Sequence, residues 1–317
     1  MTAVAVSPGT GRAQLPRRRI GLLLSWAETD SEARTWIDAF VRRLRDLGWV
    51  DGQNVRIDHR WTGGDANLIR SFATELAGSA PDVIVANTTT VLLGVRQATT
   101  TIPIVFLQVS DPVGGGLVAT LARPGGNITG FTSFEYSFGG KWLEMLKEVA
   151  PMTTRVLVMG NAKSPSWEGY RKAFEPAAQA LGIEVSAAGV GSTADIERVI
   201  DAFAGGTGGG LVVLPDTLTL NNRDVFVARA ARHRLPAIYP YRNFPLVGGL
   251  MSFGPATVDM YKSAATYVDR ILKGAKPADL PVQAATTFEL VINMKTANAL
   301  GITIPPSILA RVDEIIE

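Results

Sequence analysis

Three apolar runs between Pro81 and Phe134 constrain the fold most, because each ends in a short polar or glycine-bearing loop. The runs cover residues 81–86, 102–107 and 127–131, and the loops that follow them cover residues 87–90, 108–112 and 132–133. Buried parallel strands consist of continuous Val and Ile runs because helices cover both faces of their sheet. Ligands of such open sheets bind beyond the carboxyl ends of the strands. The segment therefore predicts half of a binding cleft, lined by hydroxyl groups and free backbone amides.

Strand-like and helix-like segments alternate along nearly the whole chain, which predicts βαβ units and mainly parallel sheets. The first strand is predicted over residues 18–24, and residues 54–61 alternate in the manner of a strand at a sheet edge. Near Pro151 the pattern stops, and it restarts with a strand from Thr154. We therefore predict an α/β fold with two Rossmann-like lobes, each built on a parallel sheet, and a cleft between them.

Apolar residues at helical spacing locate the predicted helices. Gly48 is the predicted stop of the first one. The helices are predicted over residues 31–47, 65–76, 88–97, 141–149, 168–181, 194–203, 223–232 and 257–272.

The C-terminal residues 276–317 are too few for a further domain. They contain one predicted strand, over residues 288–292, and two short helices. We expect them to cross back and complete both lobes. Lobe 1 is then predicted to contain residues 18–131 and about 254–282, and lobe 2 residues 132–253 and about 283–317. Several crossings would let a few hinge residues absorb a rigid-body closure around a ligand.

Composition narrows the class of protein. A chain of 317 residues is long for a single core, and its formal net charge of only +2 argues against a nucleic-acid partner. No apolar run approaches the ~18–20 residues that a membrane-spanning helix needs. The sequence has no cysteine, which excludes disulfides, thiolate metal sites and thiol nucleophiles.

Residues 1–17 are predicted to be either a disordered tail or the remnant of a signal peptide. They are polar and contain no apolar h-region, but Gly11-Arg-Ala13 has the small-x-small pattern of a signal cleavage site. The first reading suits a cytoplasmic protein and the second a periplasmic one, and the residues leave both open.

Catalytic motifs are missing from the sequence. Its two histidines, His59 and His233, have no partner at metal-binding spacing. There is no phosphate-binding P-loop, no dinucleotide-binding glycine motif after the first strand and no Gly-x-Ser-x-Gly elbow. We therefore expect a binding protein without catalytic residues, metal or cofactor.

The candidate ligand-binding residues are polar or aromatic side chains that follow predicted strands, with Phe131 at the crossing between the lobes. In lobe 1 they are Ser25, Trp26, Asn87, Thr88, Thr89, Thr90, Ser110, Asp111 and Phe131. In lobe 2 they are Asn161, Ser166, Trp167, Asp216, Thr217, Tyr239 and Tyr241.

Several of these residues have a second, purely structural interpretation. Residues 88–90 open a helix, so their free amides would donate hydrogen bonds to a carboxylate, or a threonine would simply cap the helix. Asp216 would pair with a ligand ammonium or hydroxyl group, or cap the residues from Leu218 onward. Ser110-Asp-Pro112 would only turn the chain into a helix. The aromatic residues Trp26, Trp167, Tyr239 and Tyr241 would sandwich a flat apolar ligand, or belong to the core.

Several longer segments resemble one family, the periplasmic substrate-binding proteins of a large group of ABC transporters. Better-known members of that family bind aromatic amino acids such as tryptophan. In the first half the matching segments are IVFLQVSDPV at 104–113, GLV at 116–118 and RPGGNITG at 123–130. Towards the C-terminus they are YVDRILKG at 267–274, KPADLPV at 276–282, FELVIN at 288–293, KTA at 295–297 and IPPS at 304–307. The resemblance extends from about Arg18 to Glu317.

This resemblance implies a type I periplasmic binding protein, in which two lobes close on a small solute. It further implies a monomer in the periplasm that docks on an ABC permease with its ATPase, without spanning the membrane. Ligand contacts carried over from the family fall on Ser25, residues 87–90, Ser110-Asp111, Asn161, Asp216 and Tyr239. The similarity is loose over residues 160–219, whose loops should set selectivity.

Three functions compete at this point. The first is a solute receptor of an ABC importer that binds a small carboxylate, such as an aromatic amino acid or another aromatic acid. The second is the ligand-sensing part of a transcriptional regulator or chemosensor, which predicts a fused domain larger than the residues before the first strand. The third is a two-lobed enzyme. A racemase of this shape needs a pair of cysteines and a sugar-nucleotide transferase a metal or diphosphate motif, and neither feature occurs in the sequence.

Overall fold

The computed structural model describes residues 18–317, so the predicted tail or signal remnant at residues 1–17 lies outside it. The described part contains thirteen strands. In chain order they are β1 (Arg18–Leu24), β2 (Val55–Trp61), β3 (Val83–Asn87), β4 (Ile104–Val109), β5 (Ile128–Thr132), β6 (Arg155–Asn161), β7 (Glu184–Val190), β8 (Gly209–Val213), β9 (Ala237–Tyr239), β10 (Met251–Pro255), β11 (Gln283–Ala284), β12 (Phe288–Asn293) and β13 (Glu314–Ile316).

The same residues form thirteen α-helices and a short 3₁₀ turn at Pro277–Asp279. The helices are α1 (Ser31–Asp46), α2 (Ala66–Gly78), α3 (Thr89–Ala98), α4 (Phe138–Val149), α5 (Trp167–Ala173), α6 (Glu175–Leu181), α7 (Thr193–Phe203), α8 (Thr217–Asn221), α9 (Arg223–Arg232), α10 (Asn243–Leu246), α11 (Thr257–Leu272), α12 (Met294–Leu300) and α13 (Pro306–Leu309).

Two separate sheets confirm the predicted α/β fold. The first has the strand order β11-β5-β4-β3-β1-β2, and the second has the order β13-β12-β10-β9-β8-β6-β7. Every pairing is parallel except that of β10 with β12. The carboxyl ends of β1, β3 and β4 therefore share one edge of the first sheet, and those of β6, β8 and β9 share one edge of the second. The predicted edge position of the strand at residues 54–61 is confirmed, because β2 is the last strand of its sheet.

Local signals in the sequence explain where most helices begin and end. Asp30 caps α1 by accepting a hydrogen bond from the backbone amide of Ala33 at 2.9 Å. Gly48 follows that helix with φ +94°, a conformation that favours glycine, so its predicted role as a stop is confirmed. The helical segment predicted over residues 168–181 despite Pro176 is confirmed. It is divided into α5 and α6, since Pro176 lacks the N–H that a continuous helix would need and is accommodated only in the first turn of a new one.

Three crossings connect the two sheets. The chain leaves the first sheet after β5 and returns from β10 into α11, which packs on α1 and β4 of the first layer. It leaves the first sheet again after β11, whose residues Gln283 and Ala284 pair with Phe131 and Thr132. Four short elements were not predicted from the sequence, because each is only two to five residues long. They are β11, β13, α8 and α10.

The apolar runs that predicted the parallel strands form the centre of each lobe. Residues Val83, Ile84, Val85 and Ala86 of β3 are at most 1% exposed. Full burial of one such aliphatic side chain contributes about 1.5–3 kcal/mol. Packed strands therefore hold the polar loops at their ends in fixed positions. No helix within residues 18–317 has the length and apolar character needed to cross a bilayer.

Candidate ligand-binding cleft

The cleft lies where the carboxyl ends of the two sheets face each other. Four polar contacts join lobe 1 to lobe 2 across it. They are Thr217 Oγ1 to Thr88 Oγ1 at 3.0 Å, Tyr170 OH to Ser110 Oγ at 3.1 Å, Asn221 Nδ2 to the Ser25 carbonyl at 3.1 Å, and Arg223 Nη1 to Asp30 Oδ2 at 2.8 Å. In this structure the lobes are therefore in direct contact.

A small internal cavity remains between the lobes, with residues of both in its wall. Its volume is about 10 Å³, near the space that the centre of one water molecule needs. The lining residues are Thr88, Thr89, Gln108, Ser110, Ser164, Pro215, Asp216, Leu220 and Tyr241. A second cavity of about 10 Å³ lies behind it in lobe 2, lined by Trp167 and Tyr170 among others. The two cavities share Ser164, Pro215 and Asp216 as their common wall.

The amino end of helix α3 forms the lobe 1 side of the first cavity. Thr88 precedes the helix with φ +64° and makes no side-chain capping bond. Its hydroxyl oxygen accepts instead from Thr217 of the other lobe. The plain capping interpretation of these threonines is therefore wrong. The first amides of a helix have no carbonyl partner within it and carry a partial positive charge, so this end can bind an anion.

Asp216 provides the carboxylate of the lobe 2 side. Its Oδ1 accepts from the backbone amide of Leu218 at 2.8 Å and from Asn161 Nδ2 at 2.9 Å. It caps α8 in a capping box with Thr219, so the capping interpretation holds while the side chain also lines both cavities. Burial raises the pKa of the Asp216 carboxyl, and the hydrogen bonds that it accepts partly counteract this shift.

Asn161 has a fixed orientation beside Asp216. Its Oδ1 accepts from the backbone amide of Lys163 at 2.9 Å, which leaves its Nδ2 as the donor towards Asp216. Asn161 and Asp216 therefore form one hydrogen-bonded unit at the ends of neighbouring strands β6 and β8.

Asn87 and Ser25 lie beneath the lobe 1 side of the cavity without lining it. Both are fully buried. The backbone amide of Ser25 donates to Asn87 Oδ1 at 2.8 Å, and Asn87 Nδ2 donates to Ser25 Oγ at 3.0 Å. This pair ties the ends of β1 and β3 together.

Ser110 and Asp111 have different roles although they are adjacent. Ser110 lines the first cavity, whereas Asp111 Oδ1 accepts from the backbone amide of Gly114 at 2.9 Å. Asp111 has φ +38°. The interpretation of Ser110-Asp-Pro112 as a helix start is wrong, because turns and irregular backbone, not a helix, follow over residues 112–127. An acidic side chain that bonds its own turn three residues on favours such a tight loop.

The four candidate aromatic rings do not stack on one another. Trp26 packs edge-on against Trp36 at 5.4 Å between ring centroids, and Tyr239 stacks on Phe244 at 4.6 Å. Trp26 and Tyr239 line neither cavity, whereas Tyr241 lines the first and Trp167 the second.

Three candidates remain. Thr90 is half-buried in α3 and lines neither cavity, and Phe131 and Ser166 lie apart from one another. Phe131 packs on Tyr267 at 4.8 Å, and it faces a separate cavity of about 450 Å³ beside the lobe crossings. Ser166 is buried and lines the second cavity with Trp167.

Two glycines leave the space that the Trp167 ring occupies. A Cβ atom at Gly160 would lie 3.1 Å from the ring, and one at Gly189 would lie 3.3 Å from it. The ring therefore lies close to the backbone of β6 and β7.

Sequence reasoning missed several lining residues: Gln108, Ser164, Tyr170, Leu214, Pro215 and Leu220. Gln108, Ser164, Leu214 and Pro215 lie close to predicted candidates at the ends of the same strands, so that position was the available signal, whereas Leu220 and Tyr170 lie within α8 and α5. Tyr170 is buried within α5, and burial raises the pKa of its hydroxyl well above the usual value. Neither histidine lines either cavity. Within residues 18–317 no group of three or more potential metal ligands comes together.

Residues 27–316 match the family model described as ABC transporter substrate binding protein. The chain belongs to this family of extracytoplasmic substrate-binding proteins. Its fold is that of the type I periplasmic solute-binding proteins. The predicted family and fold are thus confirmed.

Particular relatives have known ligands. A tyrosine-binding protein of Clostridioides difficile is 27% identical over 261 residues, which are 82% of this chain and 75% of the relative. A Streptococcus pneumoniae ABC domain solved in complex with L-Trp is 26% identical, with a TM-score of 0.87 over 95% of this chain and 100% of that one. The ligand-free, open structure of a Clostridium difficile substrate binding protein with adhesive properties is also 26% identical. Its TM-score is 0.70, over 94% of this chain and 99% of that one.

Proposed function

We propose that the protein is the solute receptor of an ABC importer, and that it captures an aromatic α-amino acid between its lobes. The observation that carries this proposal is the pairing of opposite charges around one cavity. The uncapped amino end of α3 lies on the lobe 1 side, and the carboxylate of Asp216 lies on the lobe 2 side. An α-amino acid has a carboxylate and an ammonium group on a single carbon, which matches this arrangement.

The carboxylate of the amino acid binds lobe 1 in this proposal. Thr88 precedes α3 and Thr89 is its first residue, and both line the cavity together with Ser110, which directly follows β4. Backbone amides at a helix end are preorganised donors, so they bind a carboxylate without the cost of ordering long side chains. Water is largely excluded there, which strengthens the interaction.

The ammonium group binds Asp216 in lobe 2. Because Asp216 Oδ1 is already occupied by Leu218 and Asn161, the Oδ2 atom is the acceptor for the ligand. Burial alone raises the pKa of this carboxyl. A ligand cation restores the charged form by direct attraction, which favours ammonium-bearing solutes over neutral ones.

The aromatic side chain of the ligand packs in lobe 2. The side chains of Trp167, Tyr170 and Leu214 form the wall beside Asp216. The cavity that they line is about 10 Å³ in this structure, so these side chains must move apart to admit a ring. Tyr241 and Leu220 add apolar surface on the side of the first cavity. The names of the tyrosine-binding relative and of the L-Trp complex support this assignment of the ligand class.

Lobe closure provides the capture step. The TM-score is 0.87 against the L-Trp complex and 0.70 against the open, ligand-free relative at equal identity. This difference supports the interpretation of the present arrangement, with its four polar contacts between lobes, as the closed one. An ABC permease with its ATPase would receive the solute from a monomeric receptor in the periplasm.

Isothermal titration with purified protein tests the ligand class. The panel contains tryptophan, tyrosine and phenylalanine, their amines, their des-amino acids, leucine and several sugars. We expect an aromatic amino acid to bind best, and both its amine and its des-amino acid to bind at least about tenfold more weakly, since each leaves a buried charge without its partner.

Two other results would reject parts of the proposal. Binding of sugars alone would overturn the zwitterion assignment. Equal binding of an amino acid and its des-amino analogue would remove Asp216 from the ammonium site. Thermal shift provides an independent control, since a ligand at ~100 times its dissociation constant stabilises the native state by about 2.7 kcal/mol.

A further inference from the structure

We propose that Gln108 is a specificity-determining residue whose side-chain amide donates a hydrogen bond to the ligand carboxylate. This inference rests on the proposed capture of an amino acid and adds a second donor to the one expected from the end of helix α3. Gln108 is 4% exposed, and its Nε2 is a buried donor without a partner among residues 18–317. Of the buried unpartnered side-chain atoms in residues 18–317, it is the one whose residue lines the cavity between the lobes.

Strand β4 is irregular at Gln108. The pairing of β4 with β5 shifts register between Phe106 and Val109, and Gln108 has φ +55°. A residue other than glycine adopts this conformation only at a cost in free energy. On β5, Gly130 permits the close approach that the shift requires, since a Cβ there would lie 2.2 Å from the Phe106 carbonyl oxygen. Strain of this kind persists where the surrounding structure enforces it, and often does so at a binding site.

A chain of hydrogen bonds fixes which end of the Gln108 amide is free. The backbone amide of Ser25 can only donate, and it donates to Asn87 Oδ1. Asn87 must therefore present its Nδ2 outward, and this atom lies 3.5 Å from Gln108 Oε1. The hydroxyl of Tyr261 donates to the same Oε1 at 3.3 Å. If Oε1 and Nε2 of Gln108 were exchanged, its Nε2 would face the Nδ2 of Asn87, and two donors cannot bond to each other. The Nε2 atom is therefore the end of the Gln108 amide that remains without a partner.

The free donor lies next to the proposed carboxylate site. The backbone amide of Thr88 donates to the carbonyl of Leu107 at 2.9 Å, which places Gln108 beside the start of α3. Thr88, Thr89 and Gln108 line the same cavity. An unpaired buried N–H is costly, and a carboxylate has lone pairs for both a helix end and a side-chain amide. Gln108 therefore favours ligands with an acceptor at this position over analogues without one.

The experiment measures two ligands against two variants of Gln108. Titration of tryptophan and of tryptamine, which lacks the carboxylate, is carried out on the wild type and on Gln108→Met, whose side chain has similar length but no donor. We expect Gln108→Met to bind tryptophan about 10-fold to 100-fold more weakly, the factor of a hydrogen bond to a charged group, with tryptamine affinity changed less than about twofold. Gln97→Met, at an exposed position of α3, is the matched control and should leave both affinities unchanged.

Gln108→Glu provides a second measurement if the methionine variant folds poorly. It preserves the shape of the side chain and places a carboxylate against that of the ligand, so tryptophan binding should be lost while tryptamine binding is kept or strengthened. Unchanged tryptophan affinity in both variants overturns the inference and leaves the proposed function intact. Equal losses for both ligands assign Gln108 a structural role only, which also overturns it. A wild type that binds neither ligand but binds a sugar overturns the proposed function itself.

Discussion

Two helices begin at the cleft, one in each lobe, and they begin in opposite ways. Helix α3 follows β3 in lobe 1, and Thr88 before it makes no capping bond. Helix α8 follows β8 in lobe 2, and Asp216 before it forms a complete capping box with Thr219. The first therefore presents free amide donors to the cavity, while the second has its own donors satisfied and presents a carboxylate.

Two asparagines show the same contrast one step further from the cavity. Asn87 in lobe 1 and Asn161 in lobe 2 each end a central strand, and a backbone amide donates to the Oδ1 of each. The Nδ2 atom of Asn87 lies towards Gln108 Oε1, so the Nε2 atom of Gln108 remains a free donor. The Nδ2 atom of Asn161 donates to Asp216, so it supports a carboxylate that acts as an acceptor. Similar βα units thus present opposite polarity to the cavity, because different side chains follow their strands.

Replacing Asp216 by Asn tests the acceptor half of this contrast. Asparagine caps helices as well as aspartate does, so α8 should be preserved while the charge is lost. We expect the affinity for an aromatic amino acid to fall about 100-fold or more, since losing one partner of a buried charge pair costs about 2–5 kcal/mol. The measurement is titration calorimetry with the amino acid and its des-amino analogue, and only the former should be affected.

Asp224→Asn is the matched control, because Asp224 is exposed on α9 of the same lobe. Its affinity should equal that of the wild type. The melting temperature of Asp216→Asn should not fall, since burial disfavours the ionised carboxyl. A marked decrease in that temperature would indicate a structural role for Asp216 instead.

Introducing an aspartate cap before α3, like the one before α8, tests the donor half of this contrast. In Thr88→Asp the new carboxylate can accept from the first amides of α3 and repels the carboxylate of the ligand. Aspartate tolerates the positive φ of this position better than most residues do. We expect roughly a 30-fold loss of amino acid affinity, from about 2 kcal/mol of lost hydrogen bonding, with a smaller loss for the matching amine. Thr88→Asn, which caps without charge, separates the two causes, and equal losses for amine and amino acid would contradict the assignment.

The pH dependence of ligand binding tests whether the ionised carboxylate of Asp216 binds the ammonium group. Burial raises the pKa of Asp216 above its usual value, and an ammonium group binds only the ionised form. Amino acid affinity should therefore fall as the pH is lowered through this raised pKa, by at most about tenfold per pH unit for a single proton. The Asp216→Asn variant should show no such fall. An identical pH profile in both proteins would assign the titration to another group.

The smallest expected effect concerns a contact that does not touch the cavity. Arg223 forms an ion pair with Asp30 across the lobes, and both side chains are less than one-fifth exposed. In Arg223→Met the closed arrangement loses about 0.5–1 kcal/mol, so affinity should fall roughly twofold to fivefold, mainly through faster dissociation measured by stopped flow. Arg232→Met, exposed on the same helix, should behave as the wild type. A loss that persists unchanged at 1 M salt would argue against an electrostatic origin.

Much of the fold was predictable because strand and helix periods are local properties of the sequence. The run from Val83 to Ala86, the stripe of α1 and the stop at Gly48 each required only neighbouring residues. The two-residue strand β11 was not predictable, because it is stabilised by its pairing with the distant residues Phe131 and Thr132 and not by its own propensity. The candidate residues Thr88, Ser110 and Asp216 could be found since the ends of parallel strands meet at one sheet edge, which is a general rule of such folds.

The sequence by itself determined two α/β lobes, the loops that face the cleft and membership of a binding-protein family. Only the tertiary structure decided which residues of those loops line the cavity. Trp26, Asn87 and Tyr239 lie within the packing around it, while Gln108, which sequence reasoning passed over, lines it with a free donor. The physical reason is that the direction of a side chain depends on register shifts, positive φ angles and hydrogen bonds between strands far apart in the chain.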